Sequence, residues 1–450
     1  MKQASLFESN LLKSPESVSR RSRSNGAMNK LSHEDRAVHD WYRFVLSFPP
    51  HLVSEYIQRF KLNSGHRVLD PFCGTGTTLV EAKKQGVPSV GIEANPVAHF
   101  ASCVKLDWNV DPTGLVDHAE RIAASASDEL KSLGIYDEPL LRVLNNEEVS
   151  LRTLSGEQEK LLLKNSISPL PLHKALVLLD HLQNCADNQF QAHEKLAFAK
   201  TVLNSASNLR FGPEVGVGTI RRDAPVLTSW LDEVKTMATD IHAMTSFADV
   251  TAEVFHADAR SLTRILNPAS VDAVITSPPY PNEKDYTRTT RLESVLLGFI
   301  NTREDLRALK QSLVRSNTRS VYKKDDDDLW VAEHGEIQAI ADRIESRRIE
   351  LGKTSGFERL YARVTQLYFG GMARHLADLR IVLRPGAHLA YVVGDQASYL
   401  RIMIRTGELL ADIAKSLGYE LVGIDLFRTR LSTVTREQLR EEVVVLRWPG

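Results

Sequence analysis

The chain has 450 residues, 42% hydrophobic and 25% charged, a globular composition with room for up to about three domains. Lys+Arg 56 against Asp+Glu 57 leaves a net charge of -1, which excludes a protein held to nucleic acid by bulk positive charge but not one with a local basic face. No apolar run reaches the ~20 residues of a membrane span, the start lacks the apolar core of a signal peptide, and three cysteines without a CxxC pair argue against disulfide scaffolds and zinc ribbons. A cytoplasmic protein with no membrane partner is expected.

Residues 1–30 are rich in Ser, Asn and Arg, show no period, and carry Lys2, Lys13, Arg20, Arg21, Arg23 and Lys30 against Glu8 and Glu16. A disordered basic tail is expected there. Order is expected from near Trp41. The stretch SFPPHLVSEYIQRF sets Leu52, Val53, Tyr56, Ile57 and Phe60 on one helical stripe behind a Pro-Pro start. HRVLDPF then reads as a short strand running into a glycine loop and a helix, and SVGIEANP as a second strand, the opening of a parallel α/β sheet.

From 107 to 250 the pattern turns helical, as in GLVDHAERIAASASDELKSLG and HKALVLLDHLQNCA, broken by SISPLPLH and by the Gly-rich FGPEVGVGT. Strand signals return at AEVFHADA, VDAVITSPPY, AHLAYVVGD, YELVGIDLF and EEVVVLRW, with a second polar, helical interruption at 302–360. No internal repeat is visible. The expected architecture is one doubly wound, mostly parallel sheet built from residues 31–106, 251–301 and 361–450. It carries a largely helical insertion at 107–250, the candidate target-recognition region, and a second insertion at 302–360.

Two motifs carry chemistry. In VLDPFCGTGTTLVEA, Asp70 sits at a strand end, Gly74 and Gly76 allow close backbone approach, and Thr78 with Glu81 fits a capping box. No Lys-Ser/Thr follows the glycines, which excludes a P-loop; Leu79 at the third position weakens a dinucleotide fingerprint. Glu93, 19 residues beyond Gly74, ends the second strand where an acid can meet a ribose diol, although a plain surface carboxylate explains the residue alone equally well. In VDAVITSPPYPNEKDYT an apolar strand runs straight into Ser277, Pro278, Pro279 and Tyr280. Alone this is a good proline turn. Chemically it is a rigid ledge of acceptors, the Ser277 side chain and the Pro278 carbonyl, beside an aromatic face on which an extruded base can stack.

The pairing of DPFCGTGTT with TSPPY resembles the S-adenosylmethionine-dependent amino-methylating DNA methyltransferases, which make N4-methylcytosine or N6-methyladenine. The resemblance implies a Rossmann-like methyltransferase fold over about residues 40–105, 252–300 and 360–450, with both insertions outside it. It implies that Phe48 and Pro49, Asp70, Phe72, Gly74, Gly76 and Thr77 belong to the cofactor site, that Glu93 holds the ribose and Asp258 contacts the adenine, and that Ser277, Pro278, Pro279 and Tyr280 are catalytic. A leading Ser in that tetrapeptide leans towards cytosine N4 in this family. The implied partners are double-stranded DNA with a flipped base and, as a candidate, a cognate restriction endonuclease. Adenine N6 methylation, an RNA amino-methyltransferase and an inactive DNA-recognition subunit remain the rival readings.

Arg210, Arg221 and Arg222 in the first insertion, and Arg319 and Lys323 in the second, are the expected phosphate or base contacts. The acidic run Asp325 to Asp328 reads as a solvated loop rather than a metal site, and no HExxH or similar metal spacing occurs. No Pro-Cys dipeptide exists, which sets aside a C5-cytosine mechanism. His39, His51 and His99 are expected to be structural.

Overall fold

A computed structural model describes residues 31, 35–43, 48–138, 150–185, 187–212, 214–431 and 438–450; the basic tail at 1–30 lies outside the described residues. The strands are β1 (Val68–Asp70), β2 (Ser89–Glu93), β3 (Leu209–Phe211), β4 (Val215–Val217), β5 (Ala252–His256), β6 (Val271–Thr276), β7 (Leu383–Gly394), β8 (Glu420–Leu431) and β9 (Gln438–Arg447). Seven form one sheet in the order β5-β2-β1-β6-β7-β9-β8, parallel except where β9 runs antiparallel between β7 and β8. This is the Rossmann-like methyltransferase fold. The central strands β1 and β6 are buried almost throughout, as expected of a parallel sheet covered on both faces.

Local chemistry starts the helices. Pro49-Pro50 opens the helix Pro50–Arg59, and the Asn95 and Asp111 side chains each accept two backbone N–H groups ahead of a proline in the first turn. One face of the sheet packs Leu69, Val90 and Val274 against the helices Gly335–Glu350, Tyr361–Val382 and Thr406–Ser416. The other packs Val68, Ile275 and Val392 against Pro50–Arg59.

The described residues of 107–250 share a core with the helices beside the sheet. Leu79, Val97 and Ala101 from the helices beside the sheet share one apolar cluster with Leu115, Leu178, Phe198 and Trp230. The N-terminal segment locks onto that region, because Trp41 Nε1 and Val38 N both donate to Asp240 Oδ2 at 2.8 and 2.9 Å. Within it, the Gly-rich stretch folds into the β3–β4 hairpin.

Two sequence expectations are corrected here. The Thr78–Glu81 capping box is absent. Gly76 caps the helix Thr77–Lys84 from a left-handed conformation (φ 85°), Thr78 Oγ1 donates to the Ile275 carbonyl, and Glu81 pairs with the buried His39 at 2.8 Å. Both side chains are drawn off by partners remote in sequence. The acidic run is also not a solvated loop. Asp327 is 4% exposed and bridges Arg260 and Arg374, while Asp325 takes a two-pronged pair from Arg315 at 2.8 and 2.9 Å.

Candidate active site

Chain order runs outward from β1 to β2 and β5, then returns to β6 on the other side of β1. The crevice at that reversal is where open α/β sheets bind ligands. Register pairs Leu69 with Val274, so the glycine loop after β1 and the proline turn after β6 leave the sheet side by side. Glu93 lies opposite His256 in the β2–β5 ladder, which brings Asp258 close despite the 165 residues between them. At this edge lies a cavity of about 780 Å³. Phe48, Pro49, Phe72, Gly74, Thr77, Glu93 and Asp258 line one part of it, and Ser277, Pro278, Pro279 and Tyr280 the adjoining part.

Asp70 and Gly76 do not line it. Asp70 is fully buried beneath, where Oδ1 accepts from Phe72 N at 3.1 Å and Thr276 Oγ1 at 2.6 Å, tying the first motif to the residue that precedes Ser277. Desolvation pushes its carboxyl up to about 6. A Cβ on Gly76 would meet Ser102 Oγ at 3.2 Å, so that glycine serves the turn and its packing rather than the cavity. Gly74 differs: its φ is 54° and a Cβ there would meet no protein atom within 4 Å, leaving open room beside the loop backbone.

Glu93 closes the loop onto the sheet. Its Oε2 accepts from Gly74 N at 2.8 Å and its Oε1 from Asn95 N at 2.7 Å. Each oxygen keeps a lone pair for a further donor. Desolvation pushes this carboxyl up to about 7, against the pull of the backbone donors of Asn95, Gly74 and Ala94. Asp258 is aimed by Arg260, whose backbone N–H, Nε and Nη2 all donate to it at 2.6–3.1 Å. Below Phe72 the buried His375 donates from Nδ1 to the Ala259 carbonyl and accepts at Nε2 from Tyr391; desolvation holds it down at about 4, hence neutral.

Across the cavity, the Ser277 hydroxyl donates to the Val392 carbonyl at 3.2 Å and lies within hydrogen-bonding reach of the Tyr280 side chain. Tyr280 packs near Gly394, where an added Cβ would lie 3.1 Å from its ring, and its phenol is raised by desolvation and stays neutral. Its backbone N–H donates to the Tyr286 hydroxyl at 3.4 Å. The arrangement brings the Glu93 carboxyl, the Ser277 hydroxyl and the neutral Tyr280 ring into one cavity.

None of Arg210, Arg221, Arg222, Arg319 and Lys323 lines the cavity. Arg210, Arg222 and Lys323 are exposed. Arg221, also exposed, donates from Nη1 to the carbonyls of Asn204 and Ser205. Sequence reasoning missed Tyr286, Asn317, Gln396 and Glu441, which also line the cavity. Nearness to the SPPY turn was a signal for Tyr286; the other three arrive from segments that carry no local motif.

A doubly wound sheet whose switch point joins such a glycine loop to a serine-proline turn is the arrangement that the resemblance to amino-methyltransferases implies. The family model described as DNA methylase, of the N6/N4 type, matches residues 13–101. Type II methyltransferase M.BsoBI of Geobacillus stearothermophilus is 24% identical over 443 residues, covering 92% of this chain and 85% of that one. Type II methyltransferase M.AvaI of Nostoc sp. is 24% identical over 453 residues, covering 93% and 88%. Type II methyltransferase M.MjaII of Methanocaldococcus jannaschii is 37% identical over 82 residues, 18% of this chain and 15% of that one. These matches bear out the resemblance of this chain to the amino-methylating DNA methyltransferases.

Proposed function

We propose that this protein transfers a methyl group from S-adenosylmethionine to the N4 amine of cytosine in a specific DNA sequence. The observation that carries the reading is the single cavity shared by the Glu93 carboxylate and the Ser277–Pro278 ledge. The residues present fit the cofactor. Glu93 retains one acceptor site per oxygen for a ribose diol, Gly74 leaves room for close approach, and the buried Thr75 hydroxyl in the same loop has no partner. Asp258, held by Arg260, would accept from the adenine amine, with Phe48, Pro49, Phe72 and Thr77 forming the surrounding wall. When bound, the cofactor supplies a methyl group activated on a sulfonium.

The chain's own part is positioning. The amine of cytosine is a poor nucleophile while its lone pair is conjugated into the ring. Ser277 Oγ and the Pro278 carbonyl, both acceptors, would hold its hydrogens and favour the pyramidal form, and Tyr280 would stack on the extruded ring. The proton leaves after transfer, so no strong general base is required. In the free protein the Ser277 hydroxyl donates to Val392, so donation to the ring nitrogen would require it to rotate. Preference for cytosine therefore rests on the family tendency of a leading Ser. The Type II relatives suggest a restriction–modification setting with an endonuclease partner and a cytoplasmic place of work; no helix among the described residues is long and apolar enough to cross a membrane.

The test is nucleoside mass spectrometry of DNA from a methylation-free host expressing the chain. N4-methylcytosine is expected. N6-methyladenine without N4-methylcytosine would overturn the base assignment and leave the family resemblance standing.

A further inference from the structure

The cavity mouth carries charged groups that the motif residues do not use. The β3–β4 hairpin brings Gly212 and Glu214 to the cavity. From there Glu214 reaches two arginines: Oε2 lies 3.3 Å from Arg288 Nη1, and Oε1 lies 3.6 Å from Arg319 Nη1. One carboxylate thus bridges two guanidinium groups, one oxygen to each.

The arginines stand on well-braced segments. Arg288 is in the short helix Tyr286–Thr289, just after the proline turn, whose N-cap Asp285 is paired with Lys310 at 2.9 Å. Arg319 lies in the turn Thr318–Ser320, held by the Glu283 carboxylate at Thr318 N and Oγ1, and its guanidinium stacks on Phe357 at 5.7 Å. Glu214 stands on a hairpin of only three residue pairs and is 55% exposed. Two cations on braced supports thus face one anion on a light one, with the Glu283 carboxylate, bound to Thr318, also near Arg319. A phosphodiester presents two anionic oxygens much as a carboxylate does, and arginine pairs strongly with both groups.

We infer that Arg288 and Arg319 form a clamp for one DNA backbone phosphate at the cavity mouth, and that Glu214 occupies this clamp in the free protein as an internal substitute which DNA displaces. The inference rests on the proposed action on DNA and adds to it a named phosphate contact and a named competitor. Its position, next to the turn that carries Ser277 and Tyr280, suits a phosphate flanking the extruded nucleotide. It also differs in sign from an ordinary contact, because removing Glu214 strengthens binding.

The experiment measures affinity of the full chain for unmethylated duplex DNA against salt concentration. Glu214→Gln keeps the side chain's size and removes its charge. It is expected to tighten binding about three- to tenfold at low salt, the scale of two partly exposed ion pairs, with the gain shrinking as salt rises. Arg288→Ala with Arg319→Ala should weaken binding and lower the log–log salt slope by about 0.9, one phosphate's share. In that double-arginine background Glu214→Gln should add nothing. Unchanged affinity in Glu214→Gln, or an equal gain with both arginines absent, overturns the clamp. Binding that shows the expected coupling without any methyl transfer by the wild type would overturn the methylation reading and keep the clamp. All three side chains are at least 31% exposed, so unchanged thermal melting is expected and confirms folded variants.

Discussion

The two walls of the cavity are built on different physics. On the wall formed by β1, β2 and their loops, the fixed points are backbone groups and desolvated carboxyls: Gly74 N and Asn95 N on Glu93, Phe72 N and Thr276 on Asp70. On the wall formed by residues 282–320, and where it meets Asp258 of the first wall, the fixed points are ion pairs between side chains. Lys310 holds Asp285, Arg315 holds Asp325, and Arg260, itself paired with Asp258, reaches Asp327 across 67 residues. The first wall therefore responds to pH near neutrality. The second responds to the loss of a partner and, where it is exposed, to salt. A cofactor that supplies hydroxyl donors suits the first, and a polyanion suits the rim of the second.

The largest effect that would break this contrast lies under the second wall. Arg260 is 8% exposed and serves Asp258 and the 4%-exposed Asp327. Arg260→Ala should lower stability by about 3–5 kcal/mol, the cost of stranding a buried charge. Urea unfolding measures it, and a loss below about 1 kcal/mol would show that the pairs are dispensable to this wall.

A smaller, reversible effect is expected at the first wall. Glu93 titrates near 7 in the free protein, and burial is the chief cause. Ribose hydroxyls donate best to the ionised carboxylate, so binding lowers that value. S-adenosylmethionine affinity is then full above about pH 7. It falls as pH drops below 7, by up to about tenfold per unit, until the lowered pKa of the complex is reached. Calorimetric titrations between pH 5.5 and 8 follow it, and Glu93→Gln should remove the dependence. A flat profile in the wild type would mean the carboxylate does not meet the diol.

The first wall was legible in the sequence and most of the second was not. Short apolar runs ending in DPFCGTG and TSPPY locate strand ends, because a buried parallel strand is a continuous apolar stretch and glycine and proline punctuate it. The spacing from Gly74 to Glu93 likewise reflects one strand–helix–strand step. Asn317 and Glu441 carry no such local mark; they reach the cavity through pairings set by the whole fold. The same long-range chemistry explains the corrected expectations. Thr78 and Glu81 looked like a cap until Ile275 and His39 claimed them, and Asp325 and Asp327 looked solvated until Arg315 and Arg260 enclosed them.

The central claim is that the two walls make one site whose parts separate by function. Transfer of tritium-labelled methyl groups to unmethylated DNA by Ser277→Ala, set beside the wild type, tests it most directly. The wild type should label DNA. The variant should be slower by roughly 10²–10³, the scale of one lost preorganised hydrogen bond in a transition state, while binding S-adenosylmethionine as the wild type does. A variant that labels DNA at the wild-type rate would contradict the account.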